Sequence, residues 1–409
     1  VAIIAVLAAA ALSTTGLAAG VVAPLPERTP GNVEVPVGEA SDPLKLEVGY
    51  VADIFSGVSG GRQKGTRYID SLNVIASADL DQLAGISRTT ATIQAFHNNG
   101  KRFSGSIAGD AQGISGIETG TRMTRIYEAW FEHRGAGDRW SIKAGLYDIN
   151  SEFDALGASL LFVHSAHGLG TDISQSGRNG PSTYPDTALG VRGEFRVHDG
   201  LTIRAAVLDG VPNDPGQPRR MLVRFNEGEG AFLIAEADAS FGSVRVLLGG
   251  WHYTSANDNR LDAGVAAPMV HRSHSAGAYL RGEAQLSGTA ERGLRGFARL
   301  GAADGHTNEF SGFLSGGLSW RGLIRQRPDD ETGFALAYAL AGRATRRLSR
   351  AMVGSADRGE LVIEATHRIK LTEWLSVQPD VQYVVNPGLD RSLKDAVAVG
   401  LRLSASFAL

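Results

Sequence analysis

Few residues in this chain are spaced for covalent or metal chemistry. Gly57-Val58-Ser59-Gly60-Gly61 matches the G-x-S-x-G pattern that presents a nucleophilic serine on a tight strand-to-helix turn. It runs into Arg62 and Lys64 with no apolar helix behind it, so a glycine-rich connection is expected there. His164 and His167 lie three residues apart, a spacing that joins two metal ligands only on a helix. No acidic third ligand follows at matching spacing, and they are read as loop histidines. Walker A and G-x-G-x-x-G phosphate cradles are absent, and zero cysteines remove thiolate ligands, disulfides and thiol nucleophiles. No catalytic residue, metal or cofactor is assigned, and the protein is not expected to be an enzyme.

Chemistry is concentrated instead in charged and aromatic side chains at every second position. Trp140, Ile142, Ala144 and Leu146 alternate with Ser141, Lys143, Gly145 and Tyr147. Leu189, Val191, Phe195 and Val197 alternate with Gly190, Arg192, Glu194 and Arg196. Period two is the signature of strands with one apolar face. Such segments fall near 44–53, 67–79, 89–98, 125–133, 139–147, 187–198, 201–209, 230–240, 242–253, 274–286, 295–303, 313–323, 332–342, 358–369, 372–384 and 395–409. The apolar parity is weakest at 89–98 and 295–303. Short turns join alternate pairs, as at 198–200 and 240–242, and long connections such as 99–124, 148–186, 210–229 and 254–273 join the others. The 322–331 turn breaks the rhythm by its length. An all-β, antiparallel transmembrane barrel of about 16 strands, with short periplasmic turns and long extracellular loops, produces this pattern. A soluble sandwich or propeller also alternates, but no repeat motif marks a blade, and the strands form one unbroken series.

Composition agrees. Glycine is high, at 52 of 409 residues, while 14 prolines are ordinary. A net charge of −3 argues against a nucleic-acid partner. Apart from the first residues, no apolar run is long enough for a membrane-spanning helix. Residues 1–20 open with VAIIAVLAAAAL and continue in small residues, as a signal peptide does; 21–43 contain five prolines and are expected to be an extended linker; 44–409 are the barrel. Export without cysteine points to the cell envelope of a Gram-negative organism.

If the apolar parity faces lipid, the other parity lines a wet lumen. Its charges are Lys45, Lys143, Arg192, Arg196, Arg204, Arg245, Arg281, Arg368 and Arg402, against Glu47, Glu128, Glu132, Glu194, Glu236, Asp238, Glu283, Glu360, Glu364 and Asp380. An anion channel needs a ladder of one sign. Interleaved carboxylates and guanidiniums instead offer acceptors and donors to the hydroxyls of neutral polyols, and equally well simply keep a lumen wet. Trp130, Tyr147, Trp251 and Tyr279 on that parity present faces on which a sugar ring can stack. The connection 148–186 is too long for a passive loop and carries the apolar patch Leu160, Leu161, Phe162 and Val163. Folding it into the barrel would bury the patch and bring Asp148, Asn150, Glu152 and Phe153 to a constriction. Packing on neighbouring surface loops is the alternative.

Four stretches resemble the carbohydrate-selective porin (OprB-type) family of outer-membrane proteins. They are GDAQGISGIETGTRMTRIYEAWFEH (109–133), SIKAGLYDINSEFDALGASLLFVHS (141–165), WRGLIRQRPDDETGFALAYA (320–339) and WLSVQPDVQYVVNPG (374–388). The likeness runs in order along almost the whole chain after the export segment. It implies a sixteen-stranded barrel in the cell outer membrane that passes glucose and small sugars passively. By position it nominates Arg125, Glu128, Trp130, Lys143, Tyr147, Asp148, Asn150, Glu152 and Phe153 for the constriction, to which the lumenal parity adds Arg192 and Glu194. Such barrels close with a terminal aromatic residue and are assembled by the β-barrel assembly machinery; Leu409 departs from that ending, while Phe407 keeps the outward parity. The implied partners are carbohydrate solutes, outer-membrane lipid and two further copies in a homotrimer. A general diffusion pore is the alternative, with an outer-membrane hydrolase or structural barrel behind it.

Overall fold

Extended backbone sends successive side chains to opposite faces, and sixteen segments of this chain do so while pairing with their neighbours. The computed structural model describes residues 42–220, 223, 226–262 and 271–408. The expected signal peptide and most of the expected linker lie outside the described residues. The strands are β1 (Leu44–Gly61), β2 (Gly65–Asp79), β3 (Thr89–Asn98), β4 (Met123–Arg134), β5 (Trp140–Tyr147), β6 (Ala188–His198), β7 (Leu201–Asp209), β8 (Ala231–Phe241), β9 (Val244–Asp258), β10 (Arg272–Gly288), β11 (Gly293–Ala303), β12 (Phe310–Arg321), β13 (Glu331–Ala341), β14 (Gly359–Lys370), β15 (Leu375–Val385) and β16 (Lys394–Ala408). Each pairs antiparallel with its sequence neighbours, and β16 pairs with β1, so the sheet is a closed barrel without edges. Among the described residues there are three α-helices: α1 (Leu80–Ala84), α2 (Thr171–Ser174), which lies in the connection between β5 and β6, and α3 (Arg343–Val353).

Burial is inverted relative to a water-soluble protein. Val191, Val207, Leu248, Phe334 and Leu401 face outward and are exposed, whereas Arg192, Glu236, Arg281, Glu364 and Arg402 point inward and are buried. Exposed aromatics collect at the strand ends beside the short turns: Trp140, Phe195, Phe241, Trp320, Trp374 and Phe407, with the last two stacked at 5.2 Å. No described helix is long and apolar enough to cross a membrane.

Fifteen of the expected segments coincide with strands to within a few residues. The exception is the first, which continues well past residue 53. The G-x-S-x-G segment is therefore the end of β1 and not a connection. It is paired on both sides, Gly57 with Gly65 and Ser59 with Val397, and bulges around Ser59 break the alternation that would have revealed it. Gly60 has φ +63°, and a β-carbon there would lie 1.8 Å from the Asp395 carbonyl oxygen, so glycine marks strand geometry here.

Candidate functional site

Two of the long connections turn into the lumen. In the segment following β5, Leu161, Phe162 and Val163 are buried, as their apolar character requires, and Phe162 lies 5.6 Å from Phe297 of the inner wall. Backbone amides of this loop find acceptors on wall carboxylates. Asp154 N donates to Glu236 at 2.7 Å, Ala158 N to Glu283 at 2.8 Å, and Val163 N to Glu364 at 2.6 Å. Inward-facing glycines supply room. A β-carbon at Gly333 would meet Leu161 and Phe162 within 2.9 Å, and one at Gly301 would meet Asp172 at 2.1 Å.

The connection between β3 and β4 also enters, which sequence reasoning missed. Ala111 N and Gln112 Nε2 donate to Glu360, Gln382 Nε2 donates to the Ile114 carbonyl at 2.9 Å, and Ser115 Oγ donates to Asp53 at 2.6 Å. Asp53 in turn receives both Nε and Nη2 of Arg402 at 2.8 Å, across the β1–β16 seam. The two loops touch each other: Gly116 N donates to the Val163 carbonyl and Ser165 N to the Gly113 carbonyl. The only hint in the sequence was length.

Between the loops and the wall runs a chain of alternating charges. Lys143 and Arg192 both hold Glu152, at 2.7 Å, and Arg192 also holds Glu132 at 2.7 Å. Arg204 continues the line to Glu194 (3.2 Å), Glu236 (2.8 Å) and Asp238 (3.3 Å). Arg245 links Asp238 (2.6 Å) to Glu283 (4.0 Å). Further round, Glu331 receives Arg295 and Arg368 at 2.9 and 2.7 Å. Deeper still, Asp154 meets Arg281 (3.2 Å) and Arg299 (2.8 Å), and Arg299 reaches Asp172 (2.8 Å). Asp53, Arg67, Arg125, Arg295, Arg299 and Glu331 are lumenal charges absent from the parity reading; adding both signs leaves the lumen nearly balanced.

Every nominated residue lies on the inner face or on the inserted loop. Arg125 donates to Asp186 and to the carbonyls of Pro185 and Pro218. Glu128 accepts the Asp148 amide at 2.8 Å, fixing the loop root, and Asp148 accepts the Tyr127 hydroxyl at 2.7 Å and the Asn150 amide at 2.8 Å. The Lys143 ammonium sits 4.0 Å from the Trp130 ring centre. Tyr147 donates to Glu152 at 2.7 Å, and Asn150 Nδ2 to the Phe153 carbonyl at 3.2 Å. The Phe153 ring is fully buried in an apolar cluster with Leu169, Ile173, Phe232 and Trp251. The Glu194 side chain is 30% exposed, against 18% for Glu152 and 3% for Lys143. Burial pushes the Glu152 carboxyl up, but Lys143 and Arg192 outweigh it and hold the group well below the usual carboxylate range.

His164 and His167 are loop residues, as their spacing suggested, yet both are buried. His164 Nε2 lies 3.6 Å from Asp110, and His167 Nε2 lies 3.4 Å from Glu364. Burial, with His164 and Arg281 nearby, keeps the His167 imidazole neutral well below its ordinary range. Among the described residues, no group of three or more histidines and acids converges as a metal site.

Comparison with known proteins matches residues 63–407 to the carbohydrate-selective porin, OprB family. Porin B of Pseudomonas aeruginosa is 22% identical over 405 residues, covering 89% of this chain and 87% of that protein. The high-pH structure of Pseudomonas putida OprB superposes with a TM-score of 0.77 at 20% identity, covering 89% of this chain and 94% of that one. The outer-membrane channel DcaP of Acinetobacter baumannii gives a TM-score of 0.53 at 10% identity, over 89% of this chain and 97% of that one.

Proposed function

Since the chain belongs to the carbohydrate-selective porin, OprB family, and is thereby an outer-membrane channel for sugars and not an enzyme, we propose that its selectivity resides in the alternating charges along the lumen beside the inserted loop. A sugar hydroxyl both donates and accepts. A wall on which Arg192 holds Glu152, Arg204 joins Glu194 to Asp238, and Arg245 joins Asp238 to Glu283 offers each hydroxyl a partner of either kind at every step. Opposite charges cancel, so no strong field draws ions in preference to neutral solutes. The single observation that carries this reading is the contiguity of that line across β6 to β10. Arg125, Glu128, Lys143, Tyr147, Asp148, Asn150, Glu152 and Arg192 hold the loop root and its charges in place, and Glu194 meets the solute. Trp130 acts through Lys143, whose ammonium already covers its ring. Phe153 anchors the loop from the apolar cluster behind it.

Single-channel current through the protein in planar bilayers, with glucose or maltose added, tests the proposal. Glu194→Gln removes the acceptor charge beside Arg204 while keeping shape, and it is expected to weaken sugar block several-fold with the open-channel current nearly unchanged. Block identical to the parent channel would sink the assignment, and absence of block in the parent would make it a general diffusion pore. Liposome swelling with sugars of equal mass then ranks the substrates.

Side-by-side packing as a homotrimer is part of the same proposal. Outward positions on β1 and β2 carry Tyr50, Tyr68 and Asp70, with the two hydroxyls 2.5 Å apart and Tyr50 donating to Asp70 at 3.2 Å. His97 and Thr124 pair at 2.6 Å on the outward face of β3 and β4. At the level of Asp70, β16 presents Leu403. A carboxylate facing hydrocarbon is costly, and a neighbouring subunit relieves the cost. Delivery by the β-barrel assembly machinery is supported by the outward Phe407 near the end of β16. Chemical crosslinking in native membranes distinguishes one copy from three.

A further inference from the structure

The extracellular rim carries positive charge that the solute path does not use. Between β13 and β14 the chain forms α3, RATRRLSRAMV, which contains four arginines and neither Asp nor Glu. The N-terminal end of the helix is hydrogen-bonded to the connection between β11 and β12: Gly342 N donates to the Glu309 carbonyl at 2.7 Å, Ala344 N to the Gly305 carbonyl at 3.1 Å, and Thr345 Oγ1 to the Glu309 carbonyl at 3.0 Å. Ala344 is thereby buried, and Arg343, Arg347 and Arg350 are all exposed. These positions are i, i+4 and i+7, a single stripe, and like charges at that spacing repel. The carboxylates close by are committed, Glu309 to Arg260 at 3.2 Å and Asp357 to Arg391 at 2.8 Å. Among the described residues, none of the three arginines has an ion pair.

Met352, two residues past Arg350 and on the opposite side of the helix from the stripe, is 74% exposed, an apolar side chain at the end of a polar helix. Directly below, the outward face of β13 ends in the exposed Leu340, so α3 stands above hydrocarbon-facing wall. Neutral carbohydrates need no positive funnel, and the lumen itself is nearly balanced in charge. We propose that the arginine stripe of α3 docks phosphate groups on the glycolipid headgroups of the outer leaflet. Guanidiniums bind phosphate oxygens in pairs, and an external anion turns the mutual repulsion within the helix into attraction.

The test uses the full-length protein in detergent at low salt, with two probes: bis-phosphorylated lipid A and the same lipid after removal of both phosphates. The parent is expected to prefer the phosphorylated form, and Arg343→Gln/Arg347→Gln/Arg350→Gln is expected to lose that preference by on the order of 100-fold. Glucose-driven liposome swelling by the triple variant should equal that of the parent, which certifies a folded channel. Equal affinity of parent and variant for the two lipids would overturn the proposal. So would full displacement of lipid A by millimolar inorganic phosphate, which would leave a free-anion site. If lipid binding persists while flux of glucuronate or glucose 6-phosphate falls relative to glucose, the stripe serves solutes, and the proposal is likewise overturned. Failure of the parent to pass glucose would strike the transport reading and leave the lipid result standing.

Discussion

Asp154 is where a single side chain decides the most. It is fully buried and pairs with the guanidiniums of both Arg281 and Arg299, the second of which it shares with Asp172. Removing one partner of a buried charge cluster costs about 3–5 kcal/mol, because the remaining charges stay desolvated without compensation. Asp154→Ala is therefore expected to release the loop, read as lost hydrogen-exchange protection of the Ala158 and Val163 amides in the folded protein, whereas Glu194→Gln should leave those amides protected. His167 sets the pH response of the same seat. Its imidazole is pushed down by burial, so the neutral form is favoured in the native state. The stabilisation is complete above the ordinary histidine value of about 6.5 and is lost as pH falls below it, since the unfolded form then takes up the proton first. The groups facing it are Glu364, His164 and Arg281, with Phe162 and Phe297 on its ring faces. Glu152, held low by Lys143 and Arg192, has the same sign but gives way only in much stronger acid. Loss of thermal stability between pH 7.5 and 5 is expected to shrink in His167→Gln; an unchanged slope would move the origin to another group.

At the scale of elements, the inserted loop is a separate folding decision from the barrel. Its amides are satisfied by inward carboxylates on β8, β10 and β14, Leu161 and Phe162 fill the space left by Gly333 on β13, and Asp172 fills that left by Gly301 on β11. Gly333→Val would put a branched side chain where Leu161 and Phe162 now sit. The loop is expected to withdraw, raising single-channel conductance and weakening sugar block while the barrel still assembles; unaltered conductance would show that the loop accommodates the valine. The strands themselves were legible because alternation is local: a lipid-facing residue and its lumenal neighbour differ in polarity whatever their partners. The end of β1 was hidden because bulges and glycines erase that contrast at 57–61, and the inward turn of the β3–β4 connection was hidden because no apolar patch as marked as residues 160–163 advertises it.

Over the whole molecule, the pairing of lumenal acids and bases predicts a channel with little preference between small cations and anions. A reversal potential near zero in a potassium chloride gradient is the expected result, and a strongly anion-selective one would mean that the arginines are not neutralised by their partners. The series of strands, the outward apolar surface and the near balance of charge in the lumen all follow from residue order alone, since period two and hydrophobic transfer act between neighbours in sequence. The four quoted stretches likewise carried the family. What the chain order could not contain was contact between residues a hundred or more positions apart: Asp154 with Arg281 and Arg299, Glu364 with Val163, Gln382 with Ile114. Those partners are chosen by which wall position faces the loop after the barrel has closed, and only the tertiary structure makes that choice, because buried charge and unpaired backbone amides are satisfied wherever closure happens to place a complementary group.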